Sequence, residues 1–308
     1  MPDSRLKKYL DKKRRTVDAA LRRCLPKHAA LPPVVHEAMR YSVFAGGKRL
    51  RPILCLAAAE LCGGTAKRVM PTACALELIH TYSLVHDDLP AMDDDDFRRG
   101  LPTSHKKFGE GNAVLAGDAL LTFGFQLMAE NARRGRARPA AVLDVVRTVA
   151  EAAGSRGMVG GQAADLAMSG NGKNRNGEKT PDALRKKLDY IHRNKTAALI
   201  RASLRAGALL AGASPVRLNA LDAYGRSIGL AFQIVDDILD IVGDKKLLGK
   251  RGSDRDNDKL TFPALYGLEA SRRMARREVR RAKNALSLFG PRARILNDLA
   301  DYIVERQN

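Results

Sequence analysis

Asp87-Asp88-Leu89-Pro90-Ala91-Met92-Asp93 opens an acidic run that continues through Asp94, Asp95 and Asp96 and is followed at once by Phe97-Arg98-Arg99-Gly100. A second cluster, Asp236-Asp237-Ile238-Leu239-Asp240, stands far along the chain. Crowded carboxylates repel one another, and hard cations placed between them keep them ionised. Magnesium takes one or two carboxylates and completes its octahedron with water and phosphate oxygens. The two clusters therefore read as halves of one magnesium site, and the ligand they imply is a diphosphate.

Two further elements fit that ligand. Arg98-Arg99 supply forked donors for phosphate oxygens, although ion pairs with Asp95 and Asp96 would use the same residues. In Gly46-Gly47-Lys48-Arg49-Leu50-Arg51-Pro52 the glycines expose backbone N–H groups, while Lys48 and Arg51 bring positive charge to a helix start. The pattern GxxxxGK[ST] is absent, so this is not a Walker A loop.

The elements that must hold these groups are helices. Apolar stripes at i, i+3, i+4 run through 34–43, 51–62, 69–89, 113–130, 140–153, 196–211 and 218–241, and no strand-length alternation competes. Thr180-Pro181 predicts an N-cap followed by proline at the first helical position. On a regular helix Asp236, Asp237 and Asp240 lie at about 0, 100 and 40 degrees, one arc that also takes Gln233. An exposed acidic face would have the same residues. Asp87 and Asp93 do not share a helix face, and Pro90 removes a donor between them, so a kink at Leu89-Pro90 is expected to let Asp87, Asp88 and Asp93 converge. Asp94 to Asp96 are left to cap or solvate the helix end.

Composition bounds the alternatives. Aromatic residues make up 5% of the 308 residues and Trp is absent, so the core is built from Ala, Leu, Val and Ile, which favours an all-α fold. Nothing marks a domain boundary, and residues 1–308 read as a single domain. The formal net charge of +20 would suit a nucleic-acid or membrane-surface binder. Its Lys and Arg are spread along the chain, densest at 5–23 and 272–283, which look like exposed faces of terminal helices with no aromatics to stack bases. Cys24, Cys55, Cys62 and Cys74 lack metal or disulfide spacing and read as reduced thiols. The N-terminus shows no signal peptide and no stretch approaches membrane-spanning length, so a cytoplasmic chain without nucleic acid or stable membrane insertion is expected.

From about Val34 to Glu269 the chain resembles the trans-prenyltransferases, the all-helical isoprenyl diphosphate synthases, with the bacterial farnesyl diphosphate synthase branch nearest. The resemblance rests on 46–52, DDxxxxD at 87–93 with Arg98-Arg99, Gly160-Gly161-Gln162-x-x-Asp165, Lys195-Thr196, Phe232-Gln233-x-x-Asp236-Asp237-x-x-Asp240, and Lys250 with Lys259. It implies an isoprenoid synthase type I bundle of long helices around a central cleft, usually a homodimer, holding about three Mg2+ ions. Asp87, Asp88, Asp93 and Asp236 then correspond to the metal ligands. Arg98, Lys195, Thr196, Gln233, Lys250 and Lys259 correspond to the allylic diphosphate pocket. Gly47, Lys48, Arg51, His80 and Arg99 correspond to the isopentenyl diphosphate pocket. The stretch Gly249-Lys250-Arg251-Gly252-Ser253-Asp254 is one residue shorter than the family's GKxxGxD, which leaves the position of Lys250 open.

The activity so implied is head-to-tail condensation of dimethylallyl or geranyl diphosphate with isopentenyl diphosphate. Tyr82 and Ser83, five and four residues before Asp87, point along the floor under the first motif. In the family a bulky aromatic at the fifth position, with the two-residue expansion of DDxxxxD, resembles a farnesyl-length stop. Geranylgeranyl diphosphate is the alternative product. A terpene cyclase would carry a different second motif, and a non-catalytic subunit would be expected to have lost one of the two. A basic nucleic-acid or membrane-surface protein is the remote alternative.

Overall fold

The computed structural model describes residues 4–133, 137–169, 180–242 and 260–305. Its helices in chain order are α1 (Ser4–Cys24), α2 (Pro33–Phe44), α3 (Leu50–Leu61), α4 (Ala66–Asp87), α5 (Ser104–Phe108), α6 (Glu110–Arg133) and α7 (Pro139–Ala153). Then follow α8 (Met158–Ser169), α9 (Pro181–Ile191), a π-helical turn (His192–Ala197), α10 (Ala198–Leu210) and α11 (Pro215–Val242). The chain closes with α12 (Phe262–Tyr266), α13 (Leu268–Ala285), a 3-10 segment (Ser287–Ala293) and α14 (Arg294–Glu305). Among the described residues the one sheet is a two-stranded hairpin, β1 (Phe97–Arg98) with β2 (Leu101–Pro102).

Every apolar stripe predicted from the sequence lies on a helix. Thr180 caps α9, its Oγ1 accepting from Ala183 N–H at 3.3 Å, with Pro181 at the first helical position. The densely basic stretches become the exposed faces of α1 and α13. Cys55 and Cys74 are buried, and no disulfide joins the four cysteines.

Two apolar clusters hold the bundle together, and α3 and α10 contribute to both. On α3, Cys55, Leu56 and Ala59 face one cluster while Leu54, Ala57, Ala58 and Leu61 face the other. Alanine on both faces lets these two central helices approach closely and leaves space around them for longer neighbours. Each fully buried Leu here contributes about 2 kcal/mol relative to exposure.

Helix α4 carries the first aspartate motif at its C-terminal end, and α6 fixes its position. Pro71 interrupts the α4 ladder, and the buried Asn131 of α6 repairs it. Thr72 N–H donates to Asn131 Oδ1 (2.9 Å), and Asn131 Nδ2 donates to the Arg68 carbonyl (2.5 Å). One side-chain amide thus bridges a broken i to i−4 rung and pins the two helices together. Helix α6 also corrects an expectation, because by length and composition it could cross a membrane. Here Ala113, Ala116, Leu120, Leu127 and Met128 of α6 are buried in the bundle.

Candidate active site

The first wall is the end of α4 and the loop that follows. Asp87 ends the helix and the backbone then curls back on it. Asp93 N–H donates to the Asp87 carbonyl (2.9 Å), Asp94 N–H to Leu89 (3.1 Å) and Asp95 N–H to Asp88 (3.2 Å). Asp94 takes a left-handed φ of 52° to close this curl. The expected kink is therefore a chain reversal in which Asp93 and Asp95 cap the end of α4 through their backbone N–H groups rather than prolonging it. The hairpin then leaves Arg98 half-buried against the acidic run and the exposed Arg99 over the Gly46 loop. Arg98 pairs with Asp88 and, at 3.1 Å, with Asp95. Asp96 pairs with Lys106 instead.

Asp88 is buried against Arg98, whose pairing offsets part of the burial that pushes its carboxyl up. Asp87 is not so placed. Burial, with Asp93 and Asp88 beside it, pushes its carboxyl up to about 6 despite Lys195 and Arg98 nearby. A bound cation would offset this penalty of burial and like charge on the ionised form. Among the described residues no three His, Cys, Asp or Glu side chains converge tightly enough to cage a metal. Oxygen donors on one or two side chains, open to added phosphate, suit Mg2+ better than a closed cage does. If Asp87 holds the cation, binding in acid must displace its proton, and Mg2+ affinity is expected to fall roughly tenfold per pH unit below pH 6. Calorimetric titration of Mg2+ at pH 5 and pH 8 checks this; equal affinities would mean that Asp87 is not a ligand.

A second group of charges lies beneath. Arg99 donates to the Gly46 carbonyl, and its guanidinium packs so closely on Gly47 that a Cβ there would meet Nη1 at 2.7 Å. Gly46 and Gly47 have φ of 108° and 123°, which only glycine adopts without strain. Arg51 lies in the same field. Burial lowers its guanidinium to about 10, with Glu77, Arg99 and Asp236 as its charged neighbours. It stays protonated at neutral pH. Burial, then Arg51, Arg99, Arg98 and Arg49, hold His80 well below the usual imidazole range, so it is neutral. Arg51 Nε and His80 Nδ1 are both buried without a hydrogen-bond partner. Unpaired buried donors around an excess of positive charge are what an absent anion would satisfy. Four of the five residues expected in this pocket, Gly47, Arg51, His80 and Arg99, therefore share one electrostatic neighbourhood, with the exposed Lys48 on the loop above.

The opposite wall is the π-helical turn and α11. Lys195 pairs with Asp165 of α8 at 2.6 Å and also acts on Asp87, which puts it across from the first motif. Thr196 Oγ1 donates to Gln233 Oε1 (2.8 Å), and Gln233 Nε2 donates to Asp237 Oδ1 (3.2 Å). The turn is wedged between two glycines. A Cβ at Gly161 would lie 2.2 Å from Lys195 N, and one at Gly229 would lie 2.4 Å from Ala197 Cβ. A π turn widens the helix and aims its side chains off the regular register.

The second acidic cluster does not present one arc. Asp237 is buried and accepts from the Phe262 N–H of α12 at 2.9 Å, with His192 Nε2 at 3.4 Å. It is a structural tie, because a buried carboxylate needs such partners. Asp240 is exposed, and Asp236 is half-buried within the field of Arg51. Ideal helix angles miss this because α12 arrives from a remote part of the chain. Lys250 and Lys259, with the shortened loop at 249–254, lie outside the described residues. Tyr82 is buried below Asp87, its ring edge-on to His86 at 5.7 Å, and Ser83 Oγ donates to the His80 carbonyl (2.9 Å).

Comparison with known proteins accords with this geometry. The family model for polyprenyl synthetase matches residues 32–287. The chain belongs to that family. As a trans-prenyltransferase it has relatives over nearly its whole length. It is 44% identical over 301 residues to a geranylgeranyl diphosphate synthase of Cyanophora paradoxa, covering 97% of this chain and 96% of the relative. It is 47% identical over 302 residues to a heterodimeric geranylgeranyl pyrophosphate synthase large subunit of Arabidopsis thaliana, covering 97% and 79%. The crystal structure of an FPP/GFPP synthase from Zymomonas mobilis superposes with a TM-score of 0.84 at 37% identity, covering 97% and 99%. The all-α isoprenoid synthase type I fold is thereby shown.

Two residues that support this polyprenyl synthetase site escape a motif reading. Gly229 is visible in the sequence only as part of an apolar stripe, and Arg49 only as one more cation between Lys48 and Arg51. The signal that could flag Arg49 is Glu77, an acid inside an otherwise apolar α4 stripe that demands a buried cation.

Proposed function

We propose that this prenyl diphosphate synthase condenses an allylic diphosphate with isopentenyl diphosphate and releases geranylgeranyl diphosphate. The observation that carries the reaction class is the pairing of acidic Asp87 and Asp93 with a separate cationic pocket of Arg51, Arg99 and neutral His80. That arrangement suits two diphosphates held side by side. The names of the relatives support the geranylgeranyl length.

Asp87, Asp93 and Asp236 are the groups that would hold magnesium, in the family's expected number of about three ions, with Asp88 keeping Arg98 in place. When bound, the metal would draw charge from the allylic carbon–oxygen bond as it breaks. Arg98 and Lys195 face the departing pyrophosphate and add fixed positive charge without reorganisation. Arg51, Arg99, His80, Lys48 and the Gly47 backbone hold the second diphosphate, so its alkene meets the allylic cation at short range. The new carbon–carbon bond forms from the alkene electron pair, and a proton leaves to the released pyrophosphate. Thr196 and Gln233, hydrogen-bonded to each other, and the apolar walls keep water from the cation. The chain acts as one unit, since α3 and α10 belong to both cores. Val114 and Leu115, exposed on α6, support assembly as a dimer.

A farnesyl product is the second reading, and buried Tyr82 favours it, because an aromatic ring there closes the floor early. Incubation with Mg2+, dimethylallyl or geranyl diphosphate and isopentenyl diphosphate, followed by chromatography of the dephosphorylated prenols, tests both. No elongated prenol would overturn the reaction class. Tyr82→Ala is expected to give a product at least one isoprene unit longer than the parent's, because removing the ring deepens the cavity. An unchanged product in that variant removes Tyr82 from the floor.

A further inference from the structure

We infer that Arg49 is a positioning residue for the isopentenyl diphosphate pocket, acting through a brace with Asp18, Glu77 and Val43; this rests on the pocket assignment above. The Arg49 guanidinium is committed to the partners of the brace, while its charge also acts on His80 and Arg99 of the pocket. Its side chain is buried at 4% exposure, and its backbone has a left-handed φ of 52° that turns it inward as Lys48 faces out. The guanidinium uses all three nitrogens. Nε donates to Asp18 Oδ1 of α1 (2.8 Å), Nη1 to Glu77 Oε1 of α4 (2.8 Å) and Nη2 to the Val43 carbonyl at the end of α2 (2.7 Å).

One planar side chain therefore ties the Gly46–Arg51 loop to three helices. Glu77 is one turn before His80 on α4, so the brace sets the distance between the loop donors and the His80 wall. Glu77 also faces Arg51, and its Oε2 has no hydrogen-bond partner. A left-handed residue at the loop's end is strained, and it persists only where its surroundings hold it. Among the described residues the hydrogen bonds of the brace and those of Arg98, Lys195, Thr196 and Gln233 share no partner, so its loss should be felt by one substrate.

Two variants test this in the full chain with Mg2+. Arg49→Lys keeps the charge and removes the fork. Asp18→Asn acts from α1, far along the sequence from any pocket residue. Removing the Asp18 carboxylate makes the region more positive, so simple electrostatics predicts tighter binding of a diphosphate, whereas a positional brace predicts weaker binding. KM for isopentenyl diphosphate is expected to rise about tenfold in Arg49→Lys and about threefold in Asp18→Asn, with KM for geranyl diphosphate within about twofold of the parent. An unchanged or lowered KM for isopentenyl diphosphate, or equal rises for both substrates, overturns the inference. Lys48→Ala separates this from the pocket assignment: a selective rise for isopentenyl diphosphate upholds the pocket, and its absence removes pocket and brace together. If Arg49→Lys fails to fold, Asp18→Asn, whose carboxylate is part-exposed, decides alone.

Discussion

Asp87→Ala should lower turnover by about three orders of magnitude while the protein remains folded, and Asp236→Ala should do the same. The reason for the first half is that, on the proposed function, both carboxylates would hold the cations that gather charge on the departing diphosphate. The second half follows from the Asp87 environment. Its carboxyl is raised to about 6 by burial and by Asp93 and Asp88, so the folded state holds it charged at a cost. The folded value lies above the unfolded one, so the native state binds the proton more tightly. Stability is therefore highest below about pH 4 as far as this group is concerned, and it declines as pH rises to about 6. The penalty at neutral pH is at most about 3 kcal/mol, and less to the extent that solvent reaches the group. In Asp87→Ala that penalty disappears, so Tm in metal-free buffer at about pH 7.5 should be equal to or above the parent's. Activity assays beside thermal melts check both halves. Retained turnover would remove Asp87 from the metal site, and a collapsed Tm would show that its role is structural.

Gly161→Ala is expected to cost about 2 kcal/mol of stability, a Tm fall of several degrees, and roughly a hundredfold in kcat. A single methyl would land 2.2 Å from the backbone nitrogen of Lys195 and 2.7 Å from its Cα. Backbone cannot swing aside as a side-chain tip can, so α8 must withdraw or the π-helical turn must rewind. Either movement breaks the Lys195–Asp165 pair or shifts Thr196 off Gln233. Displacements of about an ångström at a positioning group are enough for a loss of that size. Thermal melts and steady-state kinetics on the variant decide it. Full activity with only a lowered Tm would mean that the π turn does not position the chemistry.

The charge distribution shows why the two substitutions should act so differently. The Asp87 carboxylate is held against the preference of its surroundings, which in the proposed function is the opposition of activity and stability typical of active sites. Gly161 bears no functional atom and matters only for the backbone it admits.

Much of the molecule is legible in its residues alone. The stripes at 69–89 and 218–241 give α4 and α11 because a 3.6-residue period is a property of consecutive residues and needs no distant partner. Thr180-Pro181 marks the start of α9 for the same local reason. The two aspartate motifs stand out by type and crowding, since adjacent carboxylates repel wherever they are placed. Tertiary contact decides the rest. Asp236 and Asp237 are neighbours of identical type, and only the arrival of Phe262 turns one into a buried tie and leaves the other in the field of Arg51. Arg49 lies between Lys48 and Arg51 with nothing in its identity to set it apart, until Asp18 and Glu77 draw it inward. The π turn at His192–Ala197 exists where Gly161 and Gly229 let α8 and α11 close on it. Periodicity and residue type are short-range properties carried by the chain itself, whereas the partner of a charge and the packing against a backbone depend on segments that meet only when the bundle forms.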